Sequence, residues 1–136
     1  DVNIVEHVGQ GFVELVENGI LDGPQAEETV RKSLQPLLNA GADRIVLGCT
    51  HYPFLRNVIQ RIAGPDVQVI DPAPAVARHL IEVMKEEVLL ASGDVASARS
   101  VTGHPDIDLI TSGENTSAKR ILSIVLEENK VRQGKQ

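Results

Sequence analysis

Ile45-Val46-Leu47-Gly48-Cys49-Thr50-His51-Tyr52-Pro53 decides how this chain is read. Three apolar residues run into a glycine, and the only cysteine, a threonine and a histidine follow before a proline. A short apolar run bounded by Gly has the pattern of a strand buried on both faces of a parallel sheet, and such sheets bind ligands beyond the carboxyl ends of their strands. Pro53 suits the first turn of a helix, where its missing N–H is unpaired in any case. Leu55, Val58, Ile59 and Ile62 continue with helical period. The free N–H groups of a helix start attract anions, so a carboxylate or phosphate held there lies beside the thiol. The same positive helix end, with His51 nearby, favours the thiolate. Two readings stay open on the residues alone. Cys49 is either a reactive thiol, or a small buried apolar side chain with His51 a satisfied loop residue.

Outward from this stretch, the chain alternates strand and helix signals. Towards the N-terminus, Asp1 to Val8 reads as a strand, Gly9-Gln10-Gly11 ends it, and a helix carrying Phe12, Val13, Leu15 and Val16 stops at Asn18-Gly19. Gly-Gln-Gly lacks the third glycine of a dinucleotide loop and is rejected as one. Leu21-Asp22-Gly23-Pro24 is a turn, and Pro24 opens a covering helix with Ala26, Val30, Leu34, Leu37 and Leu38 on its apolar side. Pro36 is expected to bend or tighten its last turn, and Gly41 to stop it. Towards the C-terminus, Gly64-Pro65-Asp66 turns into a strand from Val67 to Ile70, and Pro72 and Pro74 lead into a long helix with Val76, Leu80, Val83, Met84 and Val88 in one stripe. Residues 91–105 read as a loop and Ile107 to Ile110 as a strand; Asn115 or Thr116 caps a last helix. The tail from Arg132 to Gln136 reads as frayed. The strand and helix order is that of a parallel α/β sheet with flanking helices.

Composition narrows the function classes. At 136 residues and 42% hydrophobic, the chain is long enough for one ordinary core. A formal net charge of −6 without a basic patch argues against nucleic acid and anionic membranes as partners. One cysteine makes no internal disulfide, and no spaced Cys/His set offers a structural zinc site, so a reducing cytoplasm is expected. No apolar run reaches the roughly 18 residues of a membrane span, and the N-terminus has no signal-peptide pattern. The sequence starts on Asp1, inside an apolar alternation, and reads as a fragment of a longer protein.

Leu47-Gly48-Cys49-Thr50-His51-Tyr52-Pro53, preceded by Gly41-Ala42-Asp43, resembles the second cysteine motif of the glutamate racemases, in the aspartate/glutamate racemase superfamily. The likeness extends through Phe12 to Glu17, Leu21-Asp22-Gly23, Val69-Ile70-Asp71 with Ala75 to Ala77, and Thr111-Ser112-Gly113. It implies a cofactor-independent enzyme of two similar α/β domains that interconverts L- and D-glutamate for peptidoglycan synthesis, with a cysteine from each domain on opposite sides of the substrate Cα. By the same resemblance, Cys49 is the base or acid for one face, the one that takes the proton from the L isomer. Thr50 holds the α-carboxylate, His51 assists proton movement at Cys49, and Glu17 is the acidic residue beside that histidine; Cys49, Thr50 and Glu17 line the substrate. Residues 1–73 are then the cysteine-bearing part of the second domain, and 74–136, with the loop at about 91–105, complete a first domain. Two departures stand out. The first catalytic cysteine has no counterpart here, so this chain alone is expected to be inactive without the N-terminal half as partner, and Gly9 replaces a further, non-catalytic cysteine of many relatives. The apolar stripe of the long helix, uncovered in a fragment, predicts a homo-oligomer. Other readings are a racemase or isomerase of aspartate or another dicarboxylate, and a non-catalytic anion-binding or interaction module with Cys49 inert.

Overall fold

A computed structural model describes residues 2–87, 89, 110–113 and 115–133, with side chains of the last helix described through residue 127. In chain order the elements are α1 (Phe12–Glu17), α2 (Pro24–Asn39), β1 (Arg44–Val46), a 3-10 turn (Tyr52–Leu55), α3 (Arg56–Ala63), β2 (Gln68–Ile70), α4 (Ala73–Glu86) and α5 (Asn115–Gln133). The expected loop at 91–105, most of the strand at 107–110 and the end of the tail lie outside the described residues. The chain divides into two compact units. One comprises Asp1–Pro72 with Glu114–Gln136, and the other Ala73–Gly113.

In the first unit β1 and β2 pair in parallel, with Arg44 opposite Gln68, Ile45 opposite Val69 and Val46 opposite Ile70. The crossover between them is the 3-10 turn and α3, a βαβ unit of minimal length. Bonds at both ends extend the ladder: Gln68 N–H donates to Asp43 O, and Leu47 N–H donates to Ile70 O, each at 2.9 Å. Period-2 alternation then decides burial. Ile45, Leu47 and Val69 point into the core, whereas Val46 is 61% exposed. The sheet is thus covered on one face only among the described residues, not on both as the apolar run predicts. Phe12, Leu15 and Val16 of α1, Ala26, Val30 and Leu34 of α2, and Leu55, Val58 and Ile59 join those strand residues in a single cluster. Among the described residues, the cover of this unit therefore gathers on the Ile45 side.

Helix ends follow the glycines. At α1, Gly19 (φ 74°) N–H donates to Val16 O and Ile20 N–H to Leu15 O; at α2, Gly41 (φ 77°) N–H donates to Leu38 O and Ala42 N–H to Leu37 O. This paired closure needs a left-handed residue just past the helix, which glycine adopts without steric cost. Pro36 stays inside α2 near its end, where few bonds remain to be lost. The start of α2 is anchored outside itself. Arg61 of α3 reaches Asp22 at 2.5 Å and Glu27 at 2.9 Å, and the Arg61 hydrogen bond, aided by Gly23 N–H, holds the Asp22 carboxyl below its ordinary range. The Gln60 side chain joins α3 to β2. Its amide donates to Gly64 O and Val67 O, both at 2.8 Å, and its oxygen accepts from Val69 N–H at 3.3 Å.

One expected strand is not formed. Residues 2–9 carry no ladder, and Val2, Ile4 and Val8 are 70–88% exposed. Their apolar alternation suits a strand, but no other strand lies beside it among the described residues, and an unpaired strand has nothing to bond with. In the second unit α4 stands with Val76, Leu80, Ile81 and Val83 exposed, and no residue of it is buried.

Candidate functional site

The site lies where β1 runs out. After Leu47 the backbone leaves the ladder, and Gly48 to His51 turn across the strand end. Tyr52 N–H donates to Cys49 O and Phe54 N–H to His51 O, both at 3.2 Å. These bonds span three residues, so the turn is 3-10 and α3 starts only at Arg56, three residues later than Pro53 predicts. Thr50 and His51 lie in the turn that carries the thiol, ahead of the 3-10 turn.

Cys49 is half-buried and unpaired, and Thr50 is exposed. His51 stands between them and α1. Its Nδ1 lies 4.0 Å from Cys49 Sγ and 3.5 Å from Thr50 Oγ1. Its Nε2 lies 3.7 Å from Glu17 Oε1, within ion-pair range but beyond a good hydrogen bond. Glu17 is the last residue of α1 and about half exposed. All four residues singled out in the sequence therefore meet on one edge, with Glu17 arriving from 34 positions upstream of His51.

Two contributors escaped the sequence reading. Tyr52 lies within the motif but carries no sequence signal for a role; its hydroxyl accepts Gly9 N–H at 3.1 Å, and its ring stands edge-on to Phe12 at 5.1 Å between centroids and 74° between planes. Tyr52 thereby ties the turn after His51 to α1, which carries Glu17. Arg120 of α5 donates through Nη1 to the Glu17 carbonyl, across 103 positions. No local pattern signals either contact. Gly9 completes this packing, since a Cβ there would lie 2.6 Å from Phe12 Cδ2 and 2.9 Å from Tyr52 Cζ. Phe12 is buried and cannot simply swing away. Gly9→Ala should therefore destabilise the unit by about 1–3 kcal/mol through overpacking; an unchanged urea midpoint would show that the two rings yield freely.

The profile of the Asp/Glu/Hydantoin racemase family matches residues 6–80, more than half of the chain. The chain belongs to that family. A glutamate racemase of Herpetosiphon aurantiacus is 43% identical over 114 residues, which is 84% of this chain and 42% of the relative. Among solved structures, a glutamate racemase of Bacillus anthracis superposes with a TM-score of 0.60 at 28% identity, covering 78% of this chain and 46% of that one. Another, from Francisella tularensis, also gives 0.60, at 23% identity, with 82% and 40% covered, and shows the shared fold. The chain spans 40–46% of the length of the first curated relatives. As in these racemases, its architecture is an α/β fold on a parallel sheet.

Proposed function

We propose that this racemase-family chain supplies one of the two faces of a cofactor-independent glutamate racemase. The observation that carries this reading is the file Glu17, His51, Cys49 at the end of β1, with the Thr50 hydroxyl beside the imidazole. A carboxylate at Nε2 favours the tautomer with its proton on that nitrogen, which leaves the Nδ1 lone pair facing Sγ. Nδ1 then accepts the thiol proton, and the thiolate that results is the nucleophilic and basic form of cysteine.

The substrate's α-carboxylate sits against the Thr50 hydroxyl and the N–H groups of Thr50 and His51. The thiolate removes the α-proton of L-glutamate: S–H forms as Cα–H breaks, and the electron pair passes into the carboxylate held by those donors. Fixed donors aimed at developing charge are the largest single source of such stabilisation. Inversion then needs a proton delivered from the opposite side, because a base that returns its own proton to the same side regenerates the same enantiomer. The chain has a single cysteine, so the second acid comes from another segment. In the intact protein we assign that role to an N-terminal domain. The reaction belongs to the cytoplasm, where the lone thiol stays reduced, and the product serves peptidoglycan synthesis.

The test is a full-length chimera, with the N-terminal part of the Herpetosiphon aurantiacus relative joined ahead of this chain. Exchange of the α-hydrogen of glutamate in D₂O, with loss of optical rotation, is the expected result; neither in a folded chimera would sink the proposal. Faster exchange on aspartate than on glutamate would favour the dicarboxylate alternative.

Alone, the chain is expected to self-associate. Val2, Ile4, Val5 and Val8 in one unit, and Val76, Leu80 and Ile81 in the other, expose apolar surface that isolated domains seldom leave open. Light scattering across a concentration series should show a mass rising above the monomer; a constant monomer mass rejects it.

A further inference from the structure

We propose that Arg120 is a positioning residue for the thiol site, acting through Glu17 on the His51 ring. This assignment rests on the functional reading above and adds to it a group outside the motif. Helix α1 has only six residues, has acidic residues at Glu14 and Glu17, and has no basic residue in its last turn. So short a helix is not self-sustaining, and a carboxylate at its C-terminal end opposes the helix dipole. Both defects fall on Glu17, the residue that faces His51 Nε2.

Arg120 corrects them from α5. Its guanidinium donates to the Glu17 carbonyl, placing a positive charge on the negative end of α1. Its stem lies over the turn, where a Cβ on Gly19 would come within 3.1 Å of Arg120 Cδ. That close approach explains why Gly19 serves twice, as the left-handed helix stop and as the floor beneath the arginine. Ile121, the next residue, packs against the common core and fixes α5 in place. The carbonyl and the carboxylate belong to one residue, so the clamp holds in place the backbone from which the Glu17 side chain reaches His51. The Glu17 carboxylate in turn selects the His51 tautomer that presents a bare Nδ1 to Cys49.

The decisive readout is the His51 tautomer ratio, from nitrogen chemical shifts of the imidazole in the folded chain. Arg120→Gln should move the ratio of Nε2–H to Nδ1–H forms by about two- to fivefold towards the free-imidazole mixture, the range expected for a partly exposed charged contact. Arg120→Met, which keeps the apolar stem over Gly19, should do the same, and it serves where glutamine impairs folding. Arg120→Lys should restore part of the effect, and Lys119→Gln, at an exposed neighbour, none. Glu17→Gln provides the reference. A shift in Glu17→Gln without one in either Arg120 variant overturns the positioning role alone. No shift in Glu17→Gln overturns the Glu17–His51 link, and with it both this inference and that arm of the functional reading.

Discussion

Cys49→Ser in the full-length chimera lowers α-hydrogen exchange of L-glutamate in D₂O by about 10²–10⁴-fold, the usual contribution of a positioned general base. The size follows from what serine lacks. An ordinary thiol gives up its proton near pH 8.5, within reach of a neighbouring imidazole, whereas a hydroxyl does not ionise in the working range. Thr50 and the helical turn with its backbone N–H groups survive the substitution, so carboxylate binding persists while proton abstraction fails. Far-ultraviolet circular dichroism should be unchanged, because Cys49 contributes nothing to the buried cluster. Exchange in Cys49→Ser at the parent rate would remove the thiol from the mechanism. It would leave the site as an anion-binding edge.

Leu55→Ala costs about 2–5 kcal/mol, the range for emptying a fully enclosed leucine site. Leu55 is 0% exposed and sits where the 3-10 turn passes into α3, directly after the site residues. In a unit of this size, each kcal/mol moves the melting midpoint by about 4–8 °C, so a drop of at least about 8 °C is expected. Arg56→Ala, at the exposed next position, should change stability by less than about 0.5 kcal/mol. Equal losses at the two positions would mean that the turn is not seated on the core as the structure has it. The pair also separates stability from chemistry, because neither residue is among those that carry the thiol, imidazole and hydroxyl of the site.

Local signals were enough for much of this architecture. Gly19 and Gly41 end their helices through backbone conformations that few other residues accept, and Pro24 opens α2, so these boundaries are written in single residues. The strand, the glycine and the Cys-Thr-His edge were likewise readable from period and punctuation. Residues 2–9 were not, because a strand is a relation between two segments and their apolar alternation names no neighbour. The one-sided cover of β1 escaped for a similar reason: Val46 is as apolar as Ile45, and only the placing of the helices decides which is buried. Pro53 signals a helical start but does not distinguish a 3-10 turn from the first turn of α3. The links from Tyr52 to Gly9 and from Arg120 to Glu17 cross 43 and 103 positions, distances at which no sequence period carries information.

The Gln60 amide has a consequence for how this edge opens. Its three bonds stitch the last turn of α3 to the chain entering β2, and β2 is the strand that pairs with β1 beneath the thiol. Releasing β2 takes from the amide one carbonyl and one N–H partner, so strand and helix end tend to fray as one cooperative piece. Small independent fluctuations of the sheet are thereby suppressed, and the thiol's footing is either whole or lost.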